Sequence, residues 1–225
     1  MPFCIDIHTH RTEPECIGIR NIRLSGSDPV WPAGDYFSAG IHPWDAAAAQ
    51  EEWLEIFTRD DLPRLLAVGE TGLDLRPEFA PQAVQMRWLE RQIDLANRIG
   101  KPLIIHNVRA TPVLQPLLRA EALVPVVLHS FTGAPEQARQ WVDTVPAVRF
   151  SFGPSVLRSP KTQAALRWIA SEHPDRLFLE TDDTPNLSIR TLYTFAADRT
   201  GWDDTRLKER IAQNFNDLFP KILPA

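Results

Sequence analysis

Cysteine is scarce: Cys4 and Cys16 are the chain's two in 225 residues. They form no CxxC pair and cannot make a disulfide framework, which excludes a stapled secreted mini-domain and leaves two small apolar side chains in a reducing compartment. No apolar run reaches the roughly 18 residues of a membrane span. The opening Met-Pro-Phe-Cys-Ile-Asp-Ile-His lacks the basic start and apolar stretch of a secretory signal. The expected location is the cytoplasm, with no membrane partner and no obligate protein partner. Positive charge is not in excess either, since 24 Lys and Arg stand against 29 Asp and Glu, a formal net charge of −5. Without a basic stripe or tail there is no general electrostatic case for nucleic-acid binding, although a nucleic acid held through bound metal ions remains open. Repeats, low-complexity tracts and breaks in composition are also missing, so residues 1–225 are expected to form a single domain.

What is present suits a globular domain. The chain is 44% hydrophobic and 24% charged, near globular averages and with length ample for a sizeable core. Its 20 prolines are spread between apolar runs, so they punctuate many short elements rather than forming a linker. The spacing predicts strands at Phe3–His8, Ile17–Leu24, Phe37–His42, Leu65–Glu70, Pro102–His106, Pro125–His129, Ala147–Phe152 and Leu177–Thr181. Many are nearly continuous in Val, Ile and Leu, as in parallel strands buried on both faces. Helices are predicted at Asp45–Arg59, Pro81–Ile99, Thr111–Ala120, Pro135–Val145, Ser159–Ser171, Ile189–Thr200 and Asp204–Phe219. This α/β alternation implies a (β/α)₈ TIM-type barrel or an open doubly wound sheet. Between His10 and Gly40 no helix is predicted, so the early β/α units are abbreviated.

Histidine placement carries the chemistry. His8, His10, His42, His106 and His129 fall at the C-terminal ends of predicted strands, while His173 precedes one. His8 and His10 are two apart, so in an extended chain they face the same side. Glu70 and Asp182 share the strand-end placement. In a parallel barrel all these ends meet at the rim where active sites are built, and such a set leaves room for one or two divalent cations. Any one of these histidines alone reads as an ordinary hydrogen-bonded side chain; the joint placement argues for metal. His42 reads as a substrate contact, with a buried structural histidine as the close competitor. Arg109, Arg158 and Trp44 fall at the mouth by position alone, where solvated or packing roles compete with substrate contact. Glu180, Asp6 and Asp74 read as partners that orient the ligands or as ordinary buried hydrogen-bonding groups.

With these residues in order, the sequence resembles the TatD family of metal-dependent hydrolases, within the amidohydrolase-type barrels. The matching motifs are Asp6-Ile7-His8-Thr9-His10, Gly40-Ile41-His42-Pro43, Gly69-Glu70-Thr71-Gly72-Leu73-Asp74, Ile105-His106, Leu128-His129-Ser130-Phe131-Thr132-Gly133, Ser151-Phe152-Gly153, Leu179-Glu180-Thr181-Asp182 and the ending Asn214-Phe215-Asn216-Asp217-Leu218-Phe219. The resemblance implies a barrel binding two divalent ions, with His8, His10, Glu70 and Asp182 on one and Glu70, His106 and His129 on the other. Mixed imidazole and carboxylate donors suit Zn²⁺, Mn²⁺, Co²⁺ or Ni²⁺ and tolerate Mg²⁺ less readily. It implies a phosphodiesterase, a deoxyribonuclease above all, in which Glu70 is shared between the ions and Asp182 is the general base for an activated water. The sequence departs from the family at Arg11-Thr12, where a Leu-Asp pair is usual, and at Asn107-Val108-Arg109-Ala110, where Ser-Arg-Asp-Ala is common. A barrel hydrolase of small amides, lactones or phosphoesters, and a metal-binding barrel with little catalysis, are the competing functions.

Overall fold

The structure, a computed structural model, describes residues 4–26, 34–59, 62–220 and 222. Its strands are β1 (Cys4–Thr9), β2 (Cys16–Arg23), β3 (Tyr36–Gly40), β4 (Leu65–Asp74), β5 (Leu103–Val108), β6 (Val126–Leu128), β7 (Val148–Phe152) and β8 (Leu177–Leu179). They form one eight-stranded sheet in chain order, β1 to β8. The helices are α1 (Gln82–Ile99), α2 (Thr111–Glu121), α3 (Pro135–Thr144), α4 (Pro160–Glu172), α5 (Ile189–Thr200) and α6 (Asp204–Leu218). Parallel pairing with no reversal of strand order is the (β/α)₈ topology; a doubly wound sheet needs a switch in order and is excluded. Among the described residues no helix separates β1 from β2, as the sequence predicts. Phe3 of the first predicted strand lies outside the described residues. No helix among those residues is long and apolar enough to cross a membrane.

One predicted helix is corrected. Asp45–Arg59 is not α-helical: two 3₁₀ segments, Pro43–Asp45 and Glu51–Thr58, flank a turn. The sequence there is rich in helix formers, but Trp88 Nε1 donates to the Ala46 carbonyl at 3.1 Å. That bond anchors the turn at Ala46 to α1, and the chain then leaves helical geometry at Gln50, whose backbone is extended, so Glu51–Thr58 starts as a separate segment.

The chain falls into two compact units. The first comprises Met1–Ile19, Leu128–Asp143 and Val148–Ala225. Its core holds Ile5, Ile7, Trp141, Phe150, Phe152, Phe178 and Phe215, all buried; each such side chain contributes roughly 1.5–3 kcal/mol when fully buried. Tyr193 of α5 both accepts the Ile5 N–H at 3.0 Å and donates to the Ile5 carbonyl at 3.2 Å, locking α5 to β1. Asn214 of α6 donates to the Pro174 and Leu177 carbonyls, which fixes the entry to β8. A parallel bridge joins Thr9 to Asp182.

The second unit comprises Arg20–Val127 and Thr144–Ala147. Here Val68, Leu73, Leu89, Ile93, Leu103 and Ile105 are fully buried. Gln92 of α1 is buried and takes the Ile41 N–H while donating to Thr71 Oγ1, tying helix to sheet. Gly72 has φ +141, and a Cβ there would run into the His106 backbone, so β4 and β5 approach too closely for any other residue. That contact is the physical content of the second glycine in Gly69-Glu70-Thr71-Gly72.

Candidate metal centre

In the first unit the groups gather around Asp182. His8, on β1, is fully buried; its Nε2 lies 3.8 Å from Asp182 Oδ1, and His10 Nε2 lies 3.9 Å from the same oxygen. Both distances exceed a hydrogen bond. The two-residue spacing does bring both imidazoles to one side. Asp182 itself is set by its main chain, whose N–H donates to the His8 carbonyl at 3.1 Å and whose carbonyl accepts the His10 N–H at 3.3 Å. Its φ is +53, a conformation that Asp tolerates better than most residues.

His129, just past β6, has its ring centroid 4.6 Å from that of His8. Its Nδ1 lies 3.2 Å from Glu180 Oε1, which also accepts the Ser130 N–H at 2.7 Å. Glu180 is fully buried, yet Oε2 has no hydrogen-bond partner among the described residues. A buried carboxylate oxygen left in that state is costly. Asp6, also buried, accepts the Thr181 N–H at 3.0 Å and faces its hydroxyl at 2.6 Å. Burial pushes the Asp6 carboxyl up to about 7, against the opposing pull of the Thr181 bonds.

The second unit assembles a tighter network around Glu70 and Asp74. Glu70 Oε1 lies 2.7 Å from His106 Nδ1 and 3.1 Å from His42 Nε2, while Asn21 donates to Oε2 and accepts the Glu70 N–H. His106 Nε2 reaches Asp74 Oδ2 at 3.2 Å. Asp74, fully buried, also receives Trp44 Nε1 at 2.8 Å and Arg76 Nη2 at 2.6 Å. Burial alone would raise the Asp74 pKa, but the bonds from Arg76, Trp44 and His106 hold it well below the usual carboxylate range. His42 is buried and its pKa lowered by that burial, so the ring is neutral near pH 7. Its Nδ1 accepts the Trp44 N–H at 3.1 Å, which leaves the ring hydrogen on Nε2, directed at Glu70.

Thus the structure groups His8, His10 and Asp182, groups His129 with Glu180 and Asp182, and groups His42 with Glu70 and His106. Within each trio the donor atoms lie within 4.8 Å of one another. His42, read from sequence as a substrate contact, sits inside the last trio. Asp74, read from sequence as a partner that orients ligands, does contact His106, whereas Asn21 and Arg76 carry no role in the sequence reading and Trp44 is read there only as a mouth residue. Asn21 is flanked by ordinary strand residues and gives no periodic or motif signal. Imidazole nitrogens and carboxylate oxygens in such clusters are a donor set that fits divalent cations, and the unpartnered Glu180 oxygen fits a neighbouring cation equally.

A (β/α)₈ chain with imidazole–carboxylate clusters at its strand ends belongs among the barrel proteins with candidate metal centres. More closely, the chain belongs to the TatD-related DNase family, which it matches over residues 31–220. It is 33% identical over 153 residues to YabD of Bacillus subtilis, described as an uncharacterized metal-dependent hydrolase, covering 65% of this chain and 58% of that protein. It is 33% identical to the deoxyribonuclease TATDN3 of Homo sapiens, covering 71% of this chain and 61% of the relative. The chain thus spans about three fifths of the length of these curated relatives. Among solved structures, the TatD homologue YJJV of Escherichia coli superposes with a TM-score of 0.78 at 21% identity over 98% of both chains, a likeness of fold.

Proposed function

We propose that the protein is a metal-dependent phosphodiesterase that hydrolyses DNA. The observation that carries this reading is the convergence of His8 and His10 on one oxygen of Asp182, with a second imidazole–carboxylate cluster in the other unit. Family membership and relatives named as deoxyribonucleases support the substrate class. His8, His10 and Asp182 are ligands in the first unit, as are Glu70 and His106 in the second, and His129 is a further imidazole donor. When bound, divalent cations supply Lewis acidity, acidifying water and screening phosphate charge. Asp182 accepts the proton of the attacking water, for its side chain is 31% exposed and so reachable by solvent. Glu180 holds the His129 ring through Nδ1, and Asn21 and His42 hold the Glu70 carboxylate, so these groups orient donors. His42 also stands beside Trp44 and hence near any substrate that reaches the indole.

The test is a substrate panel on metal-reconstituted protein: single-stranded DNA, duplex DNA, an aryl phosphodiester, lactones and amides, each with Mg²⁺, Mn²⁺ or Zn²⁺. Release of nucleotides from single-stranded DNA is the expected result. Turnover confined to lactones or amides overturns the phosphodiesterase reading, and bound metal with no turnover of any substrate overturns hydrolysis itself.

A further inference from the structure

Among the described residues Trp44 is the one exposed large aromatic, at 42% of its surface. A lone exposed hydrophobe is ordinary on a protein surface, but this one is built in. Its Nε1–H is tied to buried Asp74 at 2.8 Å, and its ring stacks on Phe79 with centroids 5.0 Å apart and planes 5° from parallel. The Arg23 guanidinium lies 5.4 Å from the indole centroid and that of Arg76 lies 5.7 Å away. Both cations are themselves fixed: Arg23 uses Nε and Nη2 on Asp45, and Arg76 uses Nε and Nη2 on Asp74. The indole is thus held rigid by Phe79 stacked on it and by two fixed guanidinia over its ring, with 42% of its surface still open to solvent. It also abuts the imidazoles, with ring centroids 4.6 Å from His42 and 6.2 Å from His106.

A preformed aromatic surface bordered by guanidinia is what an unpaired nucleobase and its phosphates require, because every base has a π-face and loses little freedom on a surface already ordered. Bases inside a duplex are stacked on one another and offer no such face. We propose that Trp44 is the stacking platform for an unpaired nucleobase of a single-stranded nucleic acid, with Arg23 and Arg76 beside the adjoining phosphates. This rests on the phosphodiesterase reading and narrows its substrate: the platform favours single strands and sets the nucleotide next to the His42–Glu70–His106 cluster.

The probe is a fluorescein-labelled phosphorothioate octathymidylate, bound to metal-loaded protein and followed by anisotropy, together with a series in which each base in turn is made abasic. In the wild type, removing one particular base should weaken binding roughly ten- to a hundredfold, the range for loss of a base–aromatic stack. Trp44→Ala should lose a similar factor on the intact oligomer and show no further loss at that position. Trp44→Phe should keep most of the affinity and the abasic penalty, whereas Trp44→Leu, of apolar bulk but without a π-face, should lose both. This Phe–Leu pair reads the same coupling if Trp44→Ala fails to fold. The proposal is overturned if Trp44→Leu binds the intact oligomer as wild type does, or if the abasic penalty persists in it. Should the wild type bind and cleave single strands while Trp44 proves indifferent, only the platform falls. Should it neither bind nor cleave them while also leaving duplex DNA and the aryl phosphodiester intact, the phosphodiesterase reading falls too.

Discussion

Asp182 owes its place to its main chain, paired through N–H and C=O with His8 and His10, while its side chain remains 31% exposed. Asp74, in the other unit, is held through its carboxylate, which Trp44, Arg76 and His106 all engage in a fully buried position. Glu70 resembles Asp74, with Asn21, His42 and His106 around it. A side chain placed by its backbone can be altered without loosening the scaffold. A side chain that is itself the scaffold cannot. The two regions should therefore separate chemistry from stability when mutated.

The sharpest separation is expected at Asp182. Asp182→Asn keeps the main-chain bridge and one ligand oxygen but removes the basic oxygen. Turnover should fall roughly 10²–10⁴-fold, the range for loss of a general base, with a thermal midpoint close to that of wild type. A variant with undiminished kcat would remove Asp182 from the proton transfer; one with a collapsed melting temperature would break the contrast itself. Asp74→Ala tests the opposite pole. It strips the Trp44 Nε1–H and buried His106 of their contact with this carboxylate and leaves Arg76 only its longer pairing with Glu78, so unfolding free energy by denaturant should drop by about 2–4 kcal/mol. A loss confined to activity would place Asp74 with Asp182 after all.

His42 lies between these poles, since it packs beside exposed Trp44 yet directs Nε2 at Glu70. Groups that orient a metal ligand typically cost 10- to 100-fold in metal affinity or activity when removed. His42→Ala should therefore lower kcat/KM by roughly that factor, and comparison of metal content with KM decides its role. Loss of metal with unchanged KM makes it an orienting partner of Glu70; retained metal with raised KM makes it a substrate contact.

The two regions also differed in how much of them could be read from sequence. The strand-end histidines were visible because strand ends are marked by the limits of Val-Ile-Leu runs, as in Pro102-Leu-Ile-Ile-His106, and parallel topology gathers such ends at one rim. The Asp182 placement followed from the same rule. In the second unit Asp74 is legible as an orienting partner but its companions are not, because Asn21, Trp44 and Arg76 reach Glu70 and Asp74 from three separate segments, and no local period records a side chain's distant partner. For the same reason the sequence predicts an α-helix over Asp45–Arg59: its propensity is local, whereas the bond by which Trp88 anchors the Ala46 turn is not.

The smallest effect contrasts the two buried aspartates by the sign of their pH dependence. Asp74 has its carboxyl pKa lowered in the fold, so the folded state binds fewer protons than the unfolded chain in acid. Its contribution is complete above an unfolded value near 3.8 and is lost as pH falls below that. Asp6 runs the other way, raised from 3.8 to about 7, chiefly by burial. Between those values the folded state holds the extra proton, so the Asp6 contribution to stability declines as pH rises from about 4 to 7 and is level above. The hydrogen-bond chain gives the proton a place. Thr9 donates to the Arg11 carbonyl at 2.7 Å, and Thr9 and Thr181 hydroxyls lie 2.8 Å apart. If Asp6 is ionised, Thr181 must give it a hydrogen, and the Thr9–Thr181 contact is left with none. A protonated Asp6 donates to Thr181 instead, Thr181 donates to Thr9, and every oxygen in the row is satisfied. Asp6→Asn supplies a permanent donor at that position. In chelator-containing buffer, its denaturation midpoint relative to wild type should climb steadily from pH 4 to pH 7 and then hold constant. A difference that stays the same across that range would mean that Asp6 is ionised throughout and that the row of hydroxyls runs in the opposite sense.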